Sequence, residues 1–188
     1  NNKKKMRIIG GKFKGKKINF IRSSLTRPLK DSVKENIFNV LIHSKKIDIT
    51  IEQSKVLDLY SGVGSFGIEC ISRGSEKVTF VEKNVVSYRI LNNNLGNLSV
   101  VSKAETYNQD IDSFIKINIK QKYNILFFDP PFADNDFIYN LKALKEKQAF
   151  EKKHVLIIHR ERKTKNDFNN ICRIITMKQY GRSKIFFG

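Results

Sequence analysis

The chain of 188 residues is long enough for one domain with a hydrophobic core and too short for two domains of ordinary size. Because it has no apolar run near the length of a membrane span and no apolar signal-peptide core, a soluble, cytoplasmic protein without membrane contact is expected. A formal net charge of +18 favours a polyanionic partner. Cys70 and Cys172 are too few and too far apart for a disulfide framework or a zinc site, so buried, reduced thiols are expected.

The positive charge is concentrated at the two ends of the chain. Residues 1–30 contain eleven Lys or Arg and no acidic residue, whereas residues 31–150 contain fifteen of each sign. Residues 151–188 contain ten basic and three acidic residues. Two basic ends around a neutral middle favour a polyanion bound against one surface, although a lysine-rich composition with solvated faces is the alternative.

The first predicted elements are a hairpin and a helix. Residues 6–20 place two short apolar runs around glycines and lysines, which is typical of a β-hairpin, with Phe13 beside the lysines of its turn. Pro28 precedes a helical pattern that Asp31 or Ser32 should cap. The apolar face of that helix is formed by Val33, Ile37, Val40 and Leu41.

From residue 55 the pattern alternates between strand and helix. The predicted strands are 55–60, 77–82, 99–103, 123–129 and 154–159, and the predicted helices are 66–73, 84–95, 110–118 and 136–147. Near-continuous apolar strands between helices predict a parallel sheet covered on both faces. The tail has room only for a closing antiparallel hairpin. The predicted fold is therefore α/β and Rossmann-like, divided into a basic extension (1–45) and a main domain (46–188).

A glycine-rich turn follows the first predicted strand of the sheet. In VLDLYSGVGSFG, residues 56–67, Gly62, Gly64 and Gly67 have the G-x-G-x-x-G spacing of a dinucleotide site. Any cofactor that contains adenosine needs such a backbone at its closest approach. Glu82 ends the next strand, where its carboxylate would accept both ribose hydroxyls. These residues alone do not separate NAD from S-adenosylmethionine.

Asp58 begins to separate the two cofactors. A further carboxylate at the strand end would repel a pyrophosphate, but it would favour the ammonium and sulfonium groups of S-adenosylmethionine. The alternative is a structural role, in which Asp58 caps the glycine turn.

The segment FFDPPF, residues 127–132, points to the chemistry. Two prolines directly after a strand fix the backbone, so that the Asp129 carboxylate and the Pro130 carbonyl have set directions. With Phe132 able to stack, these acceptors form a slot for a planar ring with an exocyclic amine. When these two acceptors hydrogen-bond both N–H groups of the amine, they favour the pyramidal nitrogen, whose lone pair can attack a methyl group. A rigid turn without catalytic role is the alternative.

These motifs resemble those of amino-group methyltransferases that use S-adenosylmethionine, and MRIIGGKFKG and RPLKDSVKENIFNVL resemble the RsmD family in particular. The resemblance covers the chain from Met6, including the late pair Tyr180 and Gly181. It implies a class I methyltransferase fold and activity toward N2 of a guanine in 16S ribosomal RNA. Ser32 and Lys34 stand where the family often has arginine, so phosphate contacts there are in doubt.

The resemblance also implies the site residues. The predicted cofactor-binding residues are Asp58, Tyr60, Ser61, Gly62, Gly64, Gly67, Glu82, Lys83 and Asp110, the last near the adenine. The predicted catalytic residues, which would hold the guanine, are Asp129, Pro130, Pro131 and Phe132. The basic ends of the chain, and not the resemblance, supply the predicted RNA-binding residues, which are Arg7, Lys12, Lys14, Lys16, Lys17, Arg22, Arg27, Lys30 and Arg182. If the N-terminal charge is only solvated, the RNA would have to be held by Arg160, Arg162, Lys163, Lys165 and Arg182 alone.

The sequence therefore predicts a monomeric methyltransferase that needs no metal and acts on ribosomal RNA, within a small ribosomal subunit or an assembly intermediate. The target base must leave any helix to enter the slot. Three alternatives remain: a DNA adenine-N6 methyltransferase, for which D-P-P-F suits equally well, a noncatalytic RNA-binding assembly factor, and an NAD-dependent dehydrogenase. Small size argues against the first, intact motifs against the second, and D-P-P-F against the third.

Overall fold

A seven-stranded β-sheet lies at the centre of the computed structural model, which describes residues 6–21 and 28–188. A separate hairpin, β1 (Met6–Arg7) and β2 (Lys17–Ile18), precedes the sheet strands β3 (Lys55–Leu59), β4 (Lys77–Val81), β5 (Ala104–Tyr107), β6 (Tyr123–Phe128), β7 (Phe150–Glu161), β8 (Thr176–Tyr180) and β9 (Ser183–Phe187). The strand order is β5-β4-β3-β6-β7-β9-β8. Strands β3 to β7 pair in parallel, and β9 is antiparallel to β7 and β8. The predicted Rossmann-like fold with a closing antiparallel hairpin is confirmed.

Helices cover both faces of the sheet. They are α1 (Asp31–His43), α2 (Ser65–Ser72), α3 (Val85–Asn97), α4 (Ile111–Asn118) and α5 (Phe137–Glu146). Because successive strand side chains point to opposite faces, Val56 of β3 packs with α1, α2 and α3, whereas Leu57 packs with α4 and α5. Of the helices in the described ranges, none is long and apolar enough to cross a membrane.

The N-terminal hairpin packs on the α1–α3 face of the sheet. Met6, Ile8 and Ile18 are buried in the same hydrophobic cluster as Val33 of α1 and Phe66 of α2. Gly11, in the hairpin turn, has a φ of +76°, and a Cβ atom there would lie 1.9 Å from the Ser72 carbonyl oxygen at the end of α2. This close approach requires glycine. The hairpin is confirmed, while the division at residues 45 and 46 stays a prediction.

A buried ionic cluster, formed by Lys34, Glu69 and Arg73, connects the N-terminal hairpin to α1 and α2. We call this cluster the hairpin anchor. Glu69 of α2 is fully buried and accepts hydrogen bonds from the backbone N–H groups of Ile9 (2.9 Å) and Gly10 (2.8 Å) and from Arg73 Nε (3.0 Å). Lys34 of α1, also fully buried, lies 3.4 Å from Glu69 and donates to the Arg7 carbonyl at 2.8 Å. Lys34 is therefore a structural cation and does not contact RNA phosphate.

Two local predictions were wrong. The third sheet strand is Ala104–Tyr107 and not 99–103, because Ser99 has a φ of 55° and Val101–Lys103 form a 3-10 turn. Every residue of this edge strand is only half-buried, so it lacks the apolar run that marks the others. Helix α1 begins at Asp31 itself, with Lys30 at the N-cap and no side-chain cap. Asp31 instead places a negative charge in the first turn.

Candidate functional site

A cavity of about 480 Å³ lies at the carboxyl ends of the central strands. Because β3, β4 and β6 are parallel neighbours, the residues that follow them meet at this edge. The predicted residues that line the cavity are Asp58, Tyr60, Ser61, Gly62, Glu82, Lys83, Asp110, Asp129, Pro130, Pro131 and Phe132. The structure thus gathers most of the predicted cofactor site and the whole predicted catalytic segment in one place.

Gly64 and Gly67 do not line this cavity. A Cβ atom on Gly64 would lie 2.4 Å from Leu91, and one on Gly67 would lie 2.3 Å from Phe80. Both glycines therefore let α2 pack closely on β4 and α3, which is the helix-packing role of such a motif. Gly62 is different, since it lines the cavity, has a φ of +56° and, among residues 6–21 and 28–188, has no non-neighbouring atom within 4 Å of the Cβ position.

Asp58 caps the glycine turn while it lines the cavity. Its side chain is buried, and Oδ2 accepts a hydrogen bond from the Gly67 backbone N–H at 3.0 Å. Burial raises the pKa of Asp58 well above its usual value, and the neighbouring Asp129 and Glu82 carboxylates raise it further. The structural role that the sequence left open is therefore present.

Glu82 is held between the glycine turn and the start of α3. Its Oε2 accepts from the Gly62 backbone N–H at 2.8 Å, and Oε1 accepts from the Asn84 backbone N–H at 2.7 Å. Each carboxylate oxygen has two lone pairs, so each retains capacity for one more donor. This fixed carboxylate suits a pair of ribose hydroxyls.

Three further predicted residues shape the cofactor side of the cavity. Tyr60 has a φ of 58° and accepts a hydrogen bond at its hydroxyl from Asn140 at 3.0 Å. Asp110 caps α4, and its hydrogen bonds from the Ser113 backbone and hydroxyl lower its pKa. The buried Ser61 hydroxyl has no hydrogen-bond partner in the part of the chain that the structure describes.

The cavity is acidic although the whole chain is strongly basic. Among the lining residues that the structure describes, there is one lysine, Lys83, against six carboxyl groups, those of Asp58, Glu82, Asp110, Asp112, Asp129 and Asp134. The pyrophosphate of a dinucleotide would be repelled here, whereas an ammonium and a sulfonium would be attracted. This charge pattern fits S-adenosylmethionine and does not fit NAD.

The segment Asp129–Phe132 is held by the end of β7 from both faces of the sheet. His159 Nδ1 lies 2.8 Å from Asp129 Oδ1. Arg160, the next residue, is fully buried and donates to the Pro131 carbonyl (3.1 Å) and the Phe132 carbonyl (3.0 Å). Consecutive strand residues point to opposite faces, so the two side chains hold the segment from opposite sides.

Arg160 was expected among the C-terminal residues able to hold RNA, and that expectation was wrong. Its guanidinium lies 4.7 Å from the centre of the Phe137 ring and donates to Asn166 as well as to the two carbonyls. Burial lowers its pKa, while the carboxylates of Asp134 and Asp129 oppose that shift. The side chain is committed to the catalytic segment and is not available to a phosphate.

The remaining basic candidates lie on the surface. The exposed residues are Arg7, Lys12, Lys14, Lys16, Lys17, Lys30, Arg162, Lys163, Lys165 and Arg182, whereas Arg22 and Arg27 lie outside the described residues. The hairpin runs beside α2, from Met6 at the cavity wall to Lys12, which contacts Ser72 at the far end of that helix. Since α2 has eight residues, this basic edge extends about 12 Å from the cavity.

Sequence reasoning missed His159 and Ser183, and it misassigned Arg160. A signal existed, since β6 and β7 are both continuous apolar runs, and parallel neighbours bring their carboxyl ends together. His159 and Arg160, at the end of β7, are thereby placed beside Asp129.

Cys70 is buried as expected, whereas Cys172 is half-buried; both are free thiols.

Known proteins are similar to this chain in sequence and fold. The family model described as Conserved hypothetical protein 95 matches residues 6–188. The chain is 39% identical over 137 residues to the Ribosomal RNA small subunit methyltransferase D of Haemophilus influenzae, which covers 72% of this chain and 68% of that protein. It is 30% identical over 159 residues to the protein of the same name from Buchnera aphidicola subsp. Acyrthosiphon pisum, with 85% and 80% covered. The solved structure of Escherichia coli yhhF has a TM-score of 0.79 at 25% identity and covers 97% of this chain and 96% of that one.

Proposed function

This chain belongs to the Conserved hypothetical protein 95 family, which is the RsmD family, and on that basis we propose that it methylates the exocyclic N2 of a guanine in small-subunit ribosomal RNA with S-adenosylmethionine as methyl donor. The observation that carries the proposal is the position of Asp129–Phe132 in the wall of an acidic cavity beside the glycine turn. Curated relatives named for ribosomal RNA methylation support the substrate class. The choice of guanine N2 rests on the resemblance to the RsmD family, because the acceptor geometry of this segment suits adenine N6 equally well.

Each part of the cavity has a role in this reaction. Glu82 would hold the ribose hydroxyls, Asp110 would bind near the adenine, and the carboxylates of the wall would attract the positive charges of the donor. The Asp129 carboxylate and the Pro130 carbonyl accept the two N–H bonds of the amine, and Phe132 stacks on the base. Bound S-adenosylmethionine supplies an activated methyl group, so that the N–C bond forms as the C–S bond breaks and its electron pair goes to sulfur.

The chain also provides for the proton that the reaction releases. The guanine nitrogen carries an extra positive charge once the N–C bond has formed, and it regains neutrality by losing one proton. The Asp129 carboxylate, which already accepts its N–H bond, takes that proton and passes it to water. The reaction balances without a metal ion.

The deciding experiment is incubation with labelled S-adenosylmethionine and small ribosomal subunits isolated from cells that lack the modification. Nucleoside analysis should place the label in N2-methylguanosine. Parallel samples with protein-free 16S RNA and with duplex DNA determine the substrate form. Label in N6-methyladenine of the DNA, or in no nucleoside of any sample, would contradict the proposal.

The choice of cofactor gives a first prediction, which calorimetric titration checks. The protein should bind S-adenosylmethionine and should not bind NAD, because the wall carboxylates repel a pyrophosphate. Glu82→Gln should weaken S-adenosylmethionine binding by about tenfold, since it replaces one charged acceptor by an amide donor. Tight binding of NAD, with none of S-adenosylmethionine, would overturn the cofactor assignment.

A second prediction concerns the basic hairpin. Replacing Lys12, Lys14, Lys16 and Lys17 with glutamine should weaken binding to 16S RNA and flatten its salt dependence by about 0.7 logarithmic units for each lost phosphate contact. Affinity for S-adenosylmethionine should not change, since phosphate contacts position the substrate only. Filter-binding titrations at several salt concentrations measure the slope.

The control for the hairpin variant removes the same charge elsewhere. Lys116, Lys120, Lys142 and Lys147 are exposed on or after α4 and α5, which lie on the other face of the sheet. Their replacement with glutamine should leave the slope nearly unchanged. Substitution is preferable to deletion of the hairpin, because deletion would remove Met6, Ile8 and Ile18 from the core. Equal slopes for both variants would mean that the hairpin lysines are merely solvated.

A further inference from the structure

His159 connects the catalytic segment to strand β9. The residue is 4% exposed. Both ring nitrogens have hydrogen-bond partners: Nδ1 lies 2.8 Å from Asp129 Oδ1, and Nε2 lies 2.8 Å from Ser183 Oγ. Ser183 is itself buried and pairs with Glu161 of β7. The buried His159 ring of β7 thereby connects the Asp129 side chain to Ser183 of β9.

The direction of these hydrogen bonds follows from the chemistry of the groups. An ionised carboxylate only accepts hydrogen bonds, so His159 Nδ1 donates to Asp129 whether the ring is neutral or charged. In the neutral ring Nε2 then accepts from the Ser183 hydroxyl, which fixes the tautomer. The ring cannot turn without breaking both bonds.

The contact uses only one oxygen of the Asp129 carboxylate. Within residues 6–21 and 28–188, Oδ1 bonds His159, and Oδ2 has no hydrogen bond to another side chain or backbone group. The ring of Phe132 also meets the His159 ring edge-on, with centroids 5.9 Å apart and planes at 75°. His159 therefore contacts both the proposed amine acceptor and the proposed stacking residue.

We propose that His159 is a positioning residue that fixes the Asp129 carboxylate with Oδ2 directed at the amine of the target base. This inference rests on the proposed function. The Asp129 side chain is 19% exposed, so without His159 it would rotate and form hydrogen bonds with water. It would then meet the amine in the productive direction only part of the time. The effect belongs to the chemical step, since the hydrogen bonds that hold Glu82 and Asp110, the proposed cofactor-binding residues, do not involve His159.

The test compares two substitutions at His159 with a matched one on the same strand. His159→Leu removes the donor to Asp129, whereas His159→Asn keeps an N–H at nearly the position of Nδ1. His154→Leu is the control, because that ring is exposed and, within the described residues, is hydrogen-bonded to the Glu151 carbonyl and packs beside the Phe150 ring, away from Asp129. The measurements are kcat and KM for methyl transfer to small ribosomal subunits, calorimetric affinity for S-adenosylmethionine, and the melting temperature.

We expect kcat to fall by about tenfold or more in His159→Leu, with KM and cofactor affinity changed by less than about threefold. His159→Asn should recover most of kcat, and His154→Leu should match the unchanged protein. Equal kcat for His159→Leu and the unchanged protein, or no recovery by asparagine in a folded variant, would overturn the inference. Absence of methyl transfer by the unchanged protein would instead overturn the proposed function.

Ser183→Ala decides the matter if His159→Leu does not melt cooperatively. This variant leaves the Asp129 contact in place but removes the partner of Nε2, so the ring loses one of its two fixed points. A lower kcat at a near-normal melting temperature would support the positioning role. An unchanged kcat would overturn it.

Discussion

Replacing Asp129 with alanine should slow methyl transfer by about 10²-fold or more while affinity for S-adenosylmethionine stays near that of the unchanged protein. Asp129 lies in the cavity wall directly after β6, and the two prolines that follow it fix its backbone. Its contact with the amine strengthens as the nitrogen becomes pyramidal and positively charged. An interaction that grows along the reaction lowers kcat when it is removed.

Two further variants distinguish charge from geometry at this position. Asp129→Asn keeps an oxygen acceptor but loses the charge, so its rate should lie between those of Asp129→Ala and the unchanged protein. Asp136→Ala removes an exposed carboxylate seven residues later that does not line the cavity, and it should leave the rate unchanged. Single-turnover rates with saturating cofactor measure the effect. Near-normal turnover in Asp129→Ala would mean that the segment serves only as a rigid turn.

The central part of the site was predictable because the same signal, an apolar run, identifies each of three neighbouring strands. The apolar runs of β3, β4 and β6 identify parallel strands, and parallel strands end at one edge of the sheet. Residues at the carboxyl ends of those runs, namely Asp58 within β3 and Glu82 and Asp129 directly after β4 and β6, therefore had to meet. Their place depends only on chain order and strand direction, both of which a sequence pattern carries.

The supporting contacts were not predictable in this way. Parallel pairing brings the end of β7 beside Asp129, but the bonds from His159 and Arg160 to the catalytic segment depend on side-chain rotamers, which the apolar pattern does not specify. Strand β5 was misplaced because an edge strand with four half-buried residues has little apolar signal. Lys34 was considered only as a position for a phosphate contact, because its partner Glu69 lies 35 residues later in another helix.

Glu69→Ala should have the largest effect on stability, reducing the free energy of unfolding by about 3–5 kcal/mol. Glu69 accepts hydrogen bonds from two backbone N–H groups of the hairpin and from Arg73, and it is the carboxylate that faces Lys34. Burial lowers the pKa of Lys34, and Glu69 is the main group that opposes this shift. Removing the carboxylate would thus leave a buried ammonium without its counter-ion, together with two unpaired backbone donors.

Lys34→Met should cost less, about 1–3 kcal/mol, because Glu69 keeps Arg73 and the Ile9 and Gly10 donors while an ammonium that burial disfavours is replaced by an apolar side chain. Asp112→Ala is the matched control, since it breaks the exposed pair with Lys116 and should cost less than about 1 kcal/mol. Urea unfolding at neutral pH gives all three values. If Glu69→Ala were no more costly than Asp112→Ala, the hairpin anchor would not hold the hairpin to α2. The Lys34→Met variant would then be expected to unfold at the same urea concentration as the unchanged protein.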